Sequence, residues 1–209
     1  MARHTKAEAA LTRTRLLEAA LAAFAQDGVR ATTLEAVAAR AGVTRGAVYW
    51  HFADKAALVA EAVDAGRWPL DIGADVSAYQ AHAHPLRLLR EQLCAQVARC
   101  MNDPMQWRSV QLALCLGVRP ELPPGAQAHV EHTMARSVVR LVRVMKIAQA
   151  RAQLRGGLTP SEAGRCLHAM GVGVLSEWAR GAACDEGTLA LCFELFLTGA
   201  SAQGRPARE

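Results

Sequence analysis

Thr44, Arg45 and Gly46 stand in a row, and Tyr49, Trp50, His51 and Lys55 follow close behind them. An arginine guanidinium pairs bidentately with O6 and N7 of a guanine, and this is the commonest side-chain contact that reads a base. Beside it, a threonine hydroxyl caps a helix or touches a phosphate, and a glycine lets the backbone come close. Tyrosine, tryptophan and histidine offer hydrogen-bonding tips and flat faces at the depth of the sugar-phosphate chain, and a lysine adds a cation there. Contacts of that second kind hold register without reading sequence.

The elements that must carry these residues are legible in TTLEAVAARAGVTRGAVYWHFADKAAL, residues 32–58. A first helix is expected over 6–26, with Leu17, Leu21 and Phe24 at helical spacing and Gly28 as its stop. Thr32 and Glu35 form a T-x-x-E capping box for a second helix, whose inner face is Leu34, Val37, Ala38 and Ala41. Gly42 breaks it, and Thr44 caps a third helix ending near His51, barely two turns long. Asp54 caps a fourth over 54–66, carrying Leu58, Ala62 and Ala65. Two short helices joined by a glycine turn describe a helix-turn-helix, whose second helix enters the major groove. An ordinary bundle has no reason to gather Arg, Tyr, Trp, His and Lys on one exposed face.

Composition agrees with a helical chain. Of 209 residues 52% are hydrophobic, much of it alanine, and 5% are aromatic. No strand pattern or internal repeat is present, so the expected fold is all-α: a three-helix reading domain followed by a helical body, about nine helices in all. The boundaries fall at 1–60, 61–201 and a disordered tail over 202–209. Residues 66–85 hold two prolines and two glycines and read as a loop or frayed end. Helices resume at 85–101, 103–117, 125–155, 160–181 and 185–199, with breaks at Asp103-Pro104, at PELPPG (120–125) and at Gly156-Gly157.

The formal charge is +5, yet residues 1–66 hold 8 Lys/Arg against 7 Asp/Glu, so binding to an acidic partner must rest on individual cations. Arg3, Lys6, Arg13 and Arg15 offer an arm for phosphates. No secretory signal and no long apolar run is visible, which implies a cytoplasmic protein with no membrane contact. Six cysteines sit singly in apolar segments with no zinc spacing and read as buried thiols. His129 with His132, and His82 with His84, lack a further ligand at metal spacing. No nucleophile motif or phosphate loop occurs. The chain is read as binding no metal or cofactor and catalysing nothing.

The 32–58 stretch resembles the TetR family of repressors, through Thr32-Thr33, Val37-Ala38, Ala41-Gly42-Val43, Thr44, Gly46, Val48-Tyr49, His51-Phe52 and Lys55. The resemblance covers residues 10–65. It implies DNA contacts by Thr33, Thr44, Arg45, Gly46, Tyr49, Trp50, His51 and Lys55, with Val48 and Phe52 as core. The opening MARHTKAEAALTRTRLLEAAL and GVTRGAVYWHF are similar to the subgroup controlling multidrug efflux operons. That implies a repressor released from a palindromic operator by a small lipophilic ligand.

One helix-turn-helix makes few contacts, so a homodimer reading two half-sites of double-stranded operator DNA is expected. The last two helices supply interface candidates: Leu167, Gly171, Val174 and Trp178 on the first, Leu189, Phe193 and Phe196 on the second. Helix 125–155 turns Met134, Val138, Leu141, Met145, Ala148 and Ala152 to the core and Arg136, Arg140 and Arg143 to solvent. A pocket for a drug-like, lipophilic inducer is drawn around Met101, Trp107, Gln111, Cys115, His132 and Met170, whose soft and aromatic groups suit a bulky ligand. The alternative mechanism is a thiol-based redox switch in the same fold, with Cys100 beside Arg99 and Cys166 beside Arg165 as the thiols to watch.

Overall fold

Residues with high helix propensity and punctuating Gly and Pro build ten α-helices in the computed structural model, which describes residues 6–116, 124–182 and 186–202. They are α1 (Lys6–Ala31), α2 (Leu34–Ala41), α3 (Arg45–His51), α4 (Lys55–Asp64), α5 (Ser77–Ala81), α6 (Pro85–Met101), α7 (Pro104–Leu116), α8 (Pro124–Ala150), α9 (Pro160–Ala179) and α10 (Glu186–Ala200). Among these residues the only β pairing is an isolated bridge between Leu154 and Ser201. Arg3, the PELPPG break up to residue 123, Cys184 and tail residues 203–209 lie outside the described residues.

The chain divides into two compact units. The first runs to Arg67 and takes in Asp103–His132; the second holds Trp68–Asn102 and everything from Thr133 onward. In the first, α1 packs on α2, α4 and α7, and α2 packs on α3. Leu16, Leu21, Phe24, Val37, Leu58 and Val59 fill its core, with Val48 and Phe52, the two the family resemblance assigns there. Where the chain leaves α4, Gly66 lies so close to α7 that a Cβ would collide with Ser109 and fall 2.7 Å from the Gln106 carbonyl.

In the second unit the segment after Arg67 runs through the interior, with Trp68, Leu70 and Ile72 buried. Ser137 on α8 donates to the Leu70 carbonyl at 2.9 Å, and Arg140 donates to the Asp71 carboxylate. Helix α10 packs on α6 and α9, and α5 packs on α6. Burial of Tyr79 pushes its phenol pKa up to about 12, so it stays a neutral donor to Gln92. Thr159 and Glu162 close a capping box at the start of α9, through bonds of 2.9 and 3.2 Å.

Five expectations need correction. The tenth helix, α5, lies in the stretch expected to be irregular; five residues are too few for an apolar period to show. Glycine 28 does not end the first helix: its φ of 78° kinks α1, and helical turns continue to Ala31. The cap of α2 is Thr33, not Thr32. Thr33 Oγ1 accepts from Ala36 N–H, while buried Thr32 donates back to the Gly28 carbonyl. Helix α8 ends at Ala150 rather than 155, with Ala152 at φ 54° and exposed. Its buried stripe includes Thr133 and Ser137, and Arg136 and Arg140 turn to Asp71 instead of solvent.

Candidate nucleic-acid interface

Each end of the reading helix is fixed by local chemistry. Gly42 takes the left-handed conformation (φ 67°, ψ 32°) that closes α2, its N–H reaching the carbonyls of Ala38 and Ala39. Two residues later Thr44 Oγ1 accepts from Ala47 N–H at 3.3 Å and starts α3. Caps of this kind contribute about 1 kcal/mol each. Asp54 does the same for α4, accepting from Ala57 N–H at 2.8 Å. With Val48 and Phe52 locked into the core, the opposite face of α3 must point away from it.

That face carries most of the expected contacts. Thr33, Thr44, Arg45, Gly46, Tyr49 and Trp50 are all exposed, Trp50 at 72%, high for a tryptophan. The nearest atom to a Cβ built on Gly46 is its own cap hydroxyl, 3.9 Å away, so packing within the protein does not require glycine there. Arg45 Nε lies 2.9 Å from Glu35 Oε1, and its guanidinium covers the Tyr49 ring with 5.5 Å to the centroid. The Tyr49 hydrogen bond, then the Glu35 charge, favour its cationic form further.

His51 and Lys55 are placed differently. Both are half-buried. Burial, helped by Arg13, lowers the His51 pKa, so the ring is neutral at pH 7 and packs edge-on to Trp50. Lys55 Nζ donates to the Arg30 carbonyl at 3.0 Å, and burial lowers its pKa. Arg13, expected on a phosphate arm, sits over Phe52 and pairs with Glu61.

Glu35 is the residue that sequence reasoning misplaced. Assigned to a capping box with Thr32, it is released by the one-residue shift of the cap and faces Arg45. Its signal was two threonines in a row, either of which can cap.

The other predicted sites are spread over both units. Trp107, Gln111, Cys115 and His132 belong to the first, Cys115 and His132 being exposed; Met101 and Met170 belong to the second and are half-buried. Sequence reasoning passed over a different group in the second unit. Trp68, Thr133 and His168 are at least nine-tenths buried, and Trp68 Nε1, Thr133 Oγ1 and His168 Nε2 have no hydrogen-bond partner. The Trp68 and His168 rings lie 6.3 Å apart. Of the interface candidates, Leu167, Gly171, Trp178, Leu189 and Phe193 are buried within the chain, and Val174 and Phe196 are half-buried. The face of α10 left open carries Leu191 and Leu195, 54% and 65% exposed.

His129, considered as a metal ligand, is 2.9 Å from Asp64, and the described residues contain no group of three metal-ligating side chains. No described helix is long and apolar enough to cross a membrane. Cys94, Cys115, Cys166 and Cys192 are free thiols, and burial raises the Cys94 pKa, away from the thiolate that redox sensing requires.

Residues 16–62 match the bacterial regulatory proteins of the tetR family. Over 182 residues the chain is 34% identical to the HTH-type transcriptional repressor BepR of Brucella suis biovar 1, covering 86% of each protein. The chain belongs to the TetR family. Among solved structures, NalD, the secondary repressor of the MexAB-OprM multidrug efflux pump in Pseudomonas aeruginosa, superposes with a TM-score of 0.75 and 29% identity. That match covers 96% of this chain and all of NalD. The complex of SmeT with triclosan gives a TM-score of 0.79 at 27% identity, over 95% of this chain and all of SmeT. SmeT represses the Stenotrophomonas maltophilia efflux pump SmeDEF. As a TetR-family regulator the chain is an all-α transcriptional repressor with its helix-turn-helix at the amino end.

Proposed function

We propose that this protein is a cytoplasmic homodimeric repressor of a multidrug efflux operon, holding a palindromic operator until a small lipophilic molecule releases it. The carrying observation is the outward face of α3, where a fixed arginine, an open glycine and an exposed Tyr-Trp pair stand on a helix too short to serve packing alone. Arg45 reads a guanine; Thr33, Thr44, Tyr49, Trp50, His51 and Lys55 hold the phosphates beside it, and Gly46 admits the backbone. Residues 1–60 form the reading domain and 61–201 the ligand and dimer domain, ahead of a tail over 202–209. The second chain docks on α9 and α10, where Leu191 and Leu195 extend the interface around Val174 and Phe196.

The ligand reading draws on the SmeT complex with triclosan, and on the unpartnered polar atoms of Trp68, Thr133 and His168. Buried polar groups without partners cost about 1–3 kcal/mol each, and a ligand that satisfies them recovers part of that cost. Of the residues expected to line the pocket, Met101 and Met170, half-buried in the same unit, stay the candidates for its apolar surroundings. The ligand releases the operator only by the difference in its affinity for the two forms of the dimer. In the DNA-bound form the recognition helices stand about 34–36 Å apart, one turn of the duplex.

The test is fluorescence anisotropy on a duplex selected from a random pool by the wild-type protein, followed by titration with triclosan. The reading expects Arg45→Ala to lose about 1–3 kcal/mol on the selected site and to blur one operator position. It also expects triclosan to release the wild type. Full discrimination by Arg45→Ala would remove the base-reading assignment. Release by peroxide but not by triclosan would move the switch to the thiols.

A further inference from the structure

A carboxylate is an unfavourable group on a surface meant to meet a polyanion, yet Glu35 stands on the reading face, 48% exposed and 2.9 Å from Arg45. The guanidinium also lies over the Tyr49 ring, 5.5 Å from its centroid. Arg45 is therefore held before any DNA arrives. We propose that Glu35 is a specificity-determining residue: it holds Arg45 through Nε, leaving the terminal nitrogens for a correctly placed guanine, and restrains the arginine from swinging to a phosphate.

The argument is a competition between partners. A guanine offers the guanidinium two coplanar acceptors, O6 and N7, in a fixed fork. A phosphate met in non-specific binding offers a charge with no fixed geometry, already shared with counterions. An exposed carboxylate pair is weak, on the order of 0.2–1 kcal/mol, but a phosphate that pulls Arg45 away must give it up, whereas a guanine taken by the terminal nitrogens leaves it in place. Glu35 thus subtracts more from wrong sites than from right ones, as a built-in competitor.

The neighbouring cations follow the same economy. Arg13 is paired with Glu61, Arg40 donates to Gln26 at 3.1 Å, and Lys55 to the Arg30 carbonyl. Together with the near balance of charge over residues 1–66, this leaves little bulk attraction for DNA of arbitrary sequence. Specificity is a ratio, and lowering its denominator raises it as surely as adding contacts.

The inference rests on the assignment of α3 as the reading helix, and the experiment separates the two. Affinities of the full-length wild type, Glu35→Gln, Arg45→Ala and the double variant are measured by anisotropy. The probes are the selected duplex and a random-sequence duplex of equal length, each from 50 to 300 mM salt. Glu35→Gln is expected to strengthen binding to the random duplex roughly three- to tenfold at low salt. Its salt slope should steepen by about 0.9 per chain, the mark of one added phosphate contact. The ratio of selected to random affinity falls, and thermal melting is unchanged.

In the Arg45→Ala background the effect of Glu35→Gln disappears. An unchanged ratio in Glu35→Gln overturns the inference, as does equal strengthening in the Arg45→Ala background, which would mean simple repulsion. Loss of discrimination at a second operator base overturns it too, because Glu35 would then be reading a cytosine amine. If Arg45→Ala itself discriminates normally, the reading helix is wrong and this inference falls with it.

Discussion

Arg140 on α8 grips Asp71, its Nη1 donating to both carboxylate oxygens of a residue only 12% exposed. Arg136 stands behind, its Nε 3.5 Å from the same carboxylate. One acid thus holds two bases and anchors the segment that carries Trp68 and Leu70 through the interior. Asp71→Asn keeps the shape and removes the charge, leaving two guanidinium groups without a counter-ion. Breaking a fully buried pair costs about 3–5 kcal/mol, and the exposure of Arg136 lowers the figure here to about 2–3 kcal/mol. Urea unfolding at pH 7 and fixed salt measures it; a loss below about 0.5 kcal/mol would show that the anchor contributes little.

Two glycines of α9 should respond differently to the same substitution. A Cβ on Gly164 would fall 2.6 Å from Val142 Cγ2, 3.0 Å from Val142 N and 3.1 Å from its Cα. A Cβ on Gly171 would meet the Leu70 side chain first, at 2.8 Å from Cδ1. Backbone cannot yield without moving α8, whereas a leucine tip can rotate. Gly164→Ala is expected to destabilise by about 2–3 kcal/mol and Gly171→Ala by about 1 kcal/mol. Leu70→Ala should then offset Gly171→Ala in a double-mutant cycle and leave Gly164→Ala untouched. Equal losses at both sites would contradict the distinction.

These contrasts also mark the limit of what the sequence discloses. The reading helix was legible because capping residues, Gly42 and a two-turn span are local signals. Val48 and Phe52 were placed in the core by the family resemblance, not by these signals. The side chains beyond the next turn were not legible. Two adjacent threonines let the cap slip by one residue, hiding the Glu35–Arg45 pair. Arg136 and Arg140 looked like a solvated stripe because Asp71, their partner, lies 69 positions from Arg140. An apolar face alone does not say whether another helix of the same chain or a second chain covers it. Phe193 and Leu195, two residues apart on α10, are buried and exposed respectively.

Lys55 holds α1 and, in the proposed function, also a phosphate, and one substitution can separate the two. Its ammonium donates to the Arg30 carbonyl at the end of α1, and an ammonium has three protons to give. Lys55→Met is expected to cost about 1 kcal/mol of stability through the lost bond. It should also flatten the salt slope by about 0.9 per chain on selected and random duplexes alike, because a phosphate contact reads no base. Loss of stability with an unchanged slope would confine Lys55 to holding α1.

His168 makes acid stability a readout of the interior. Burial lowers its pKa below the ordinary value, so the folded protein keeps the ring neutral where the unfolded chain, titrating near 6.5, takes up a proton. The unfolded state therefore binds more protons as pH drops below about 6.5. Stability is full above that value and declines toward the folded pKa, by at most about 1.4 kcal/mol per pH unit for this one group. His168→Phe removes both the titration and an unpartnered Nε2. It is expected to equal or exceed the wild type at pH 5.5 while matching it at pH 7.5. His51, whose pKa burial also lowers, is present in both proteins and cancels in the difference. Urea unfolding at pH 7.5, 6.5 and 5.5 gives that difference directly. If the gap between the two proteins does not widen toward acid, His168 takes up its proton inside the fold as readily as in water, and the interior around Trp68 is wetter than its burial implies.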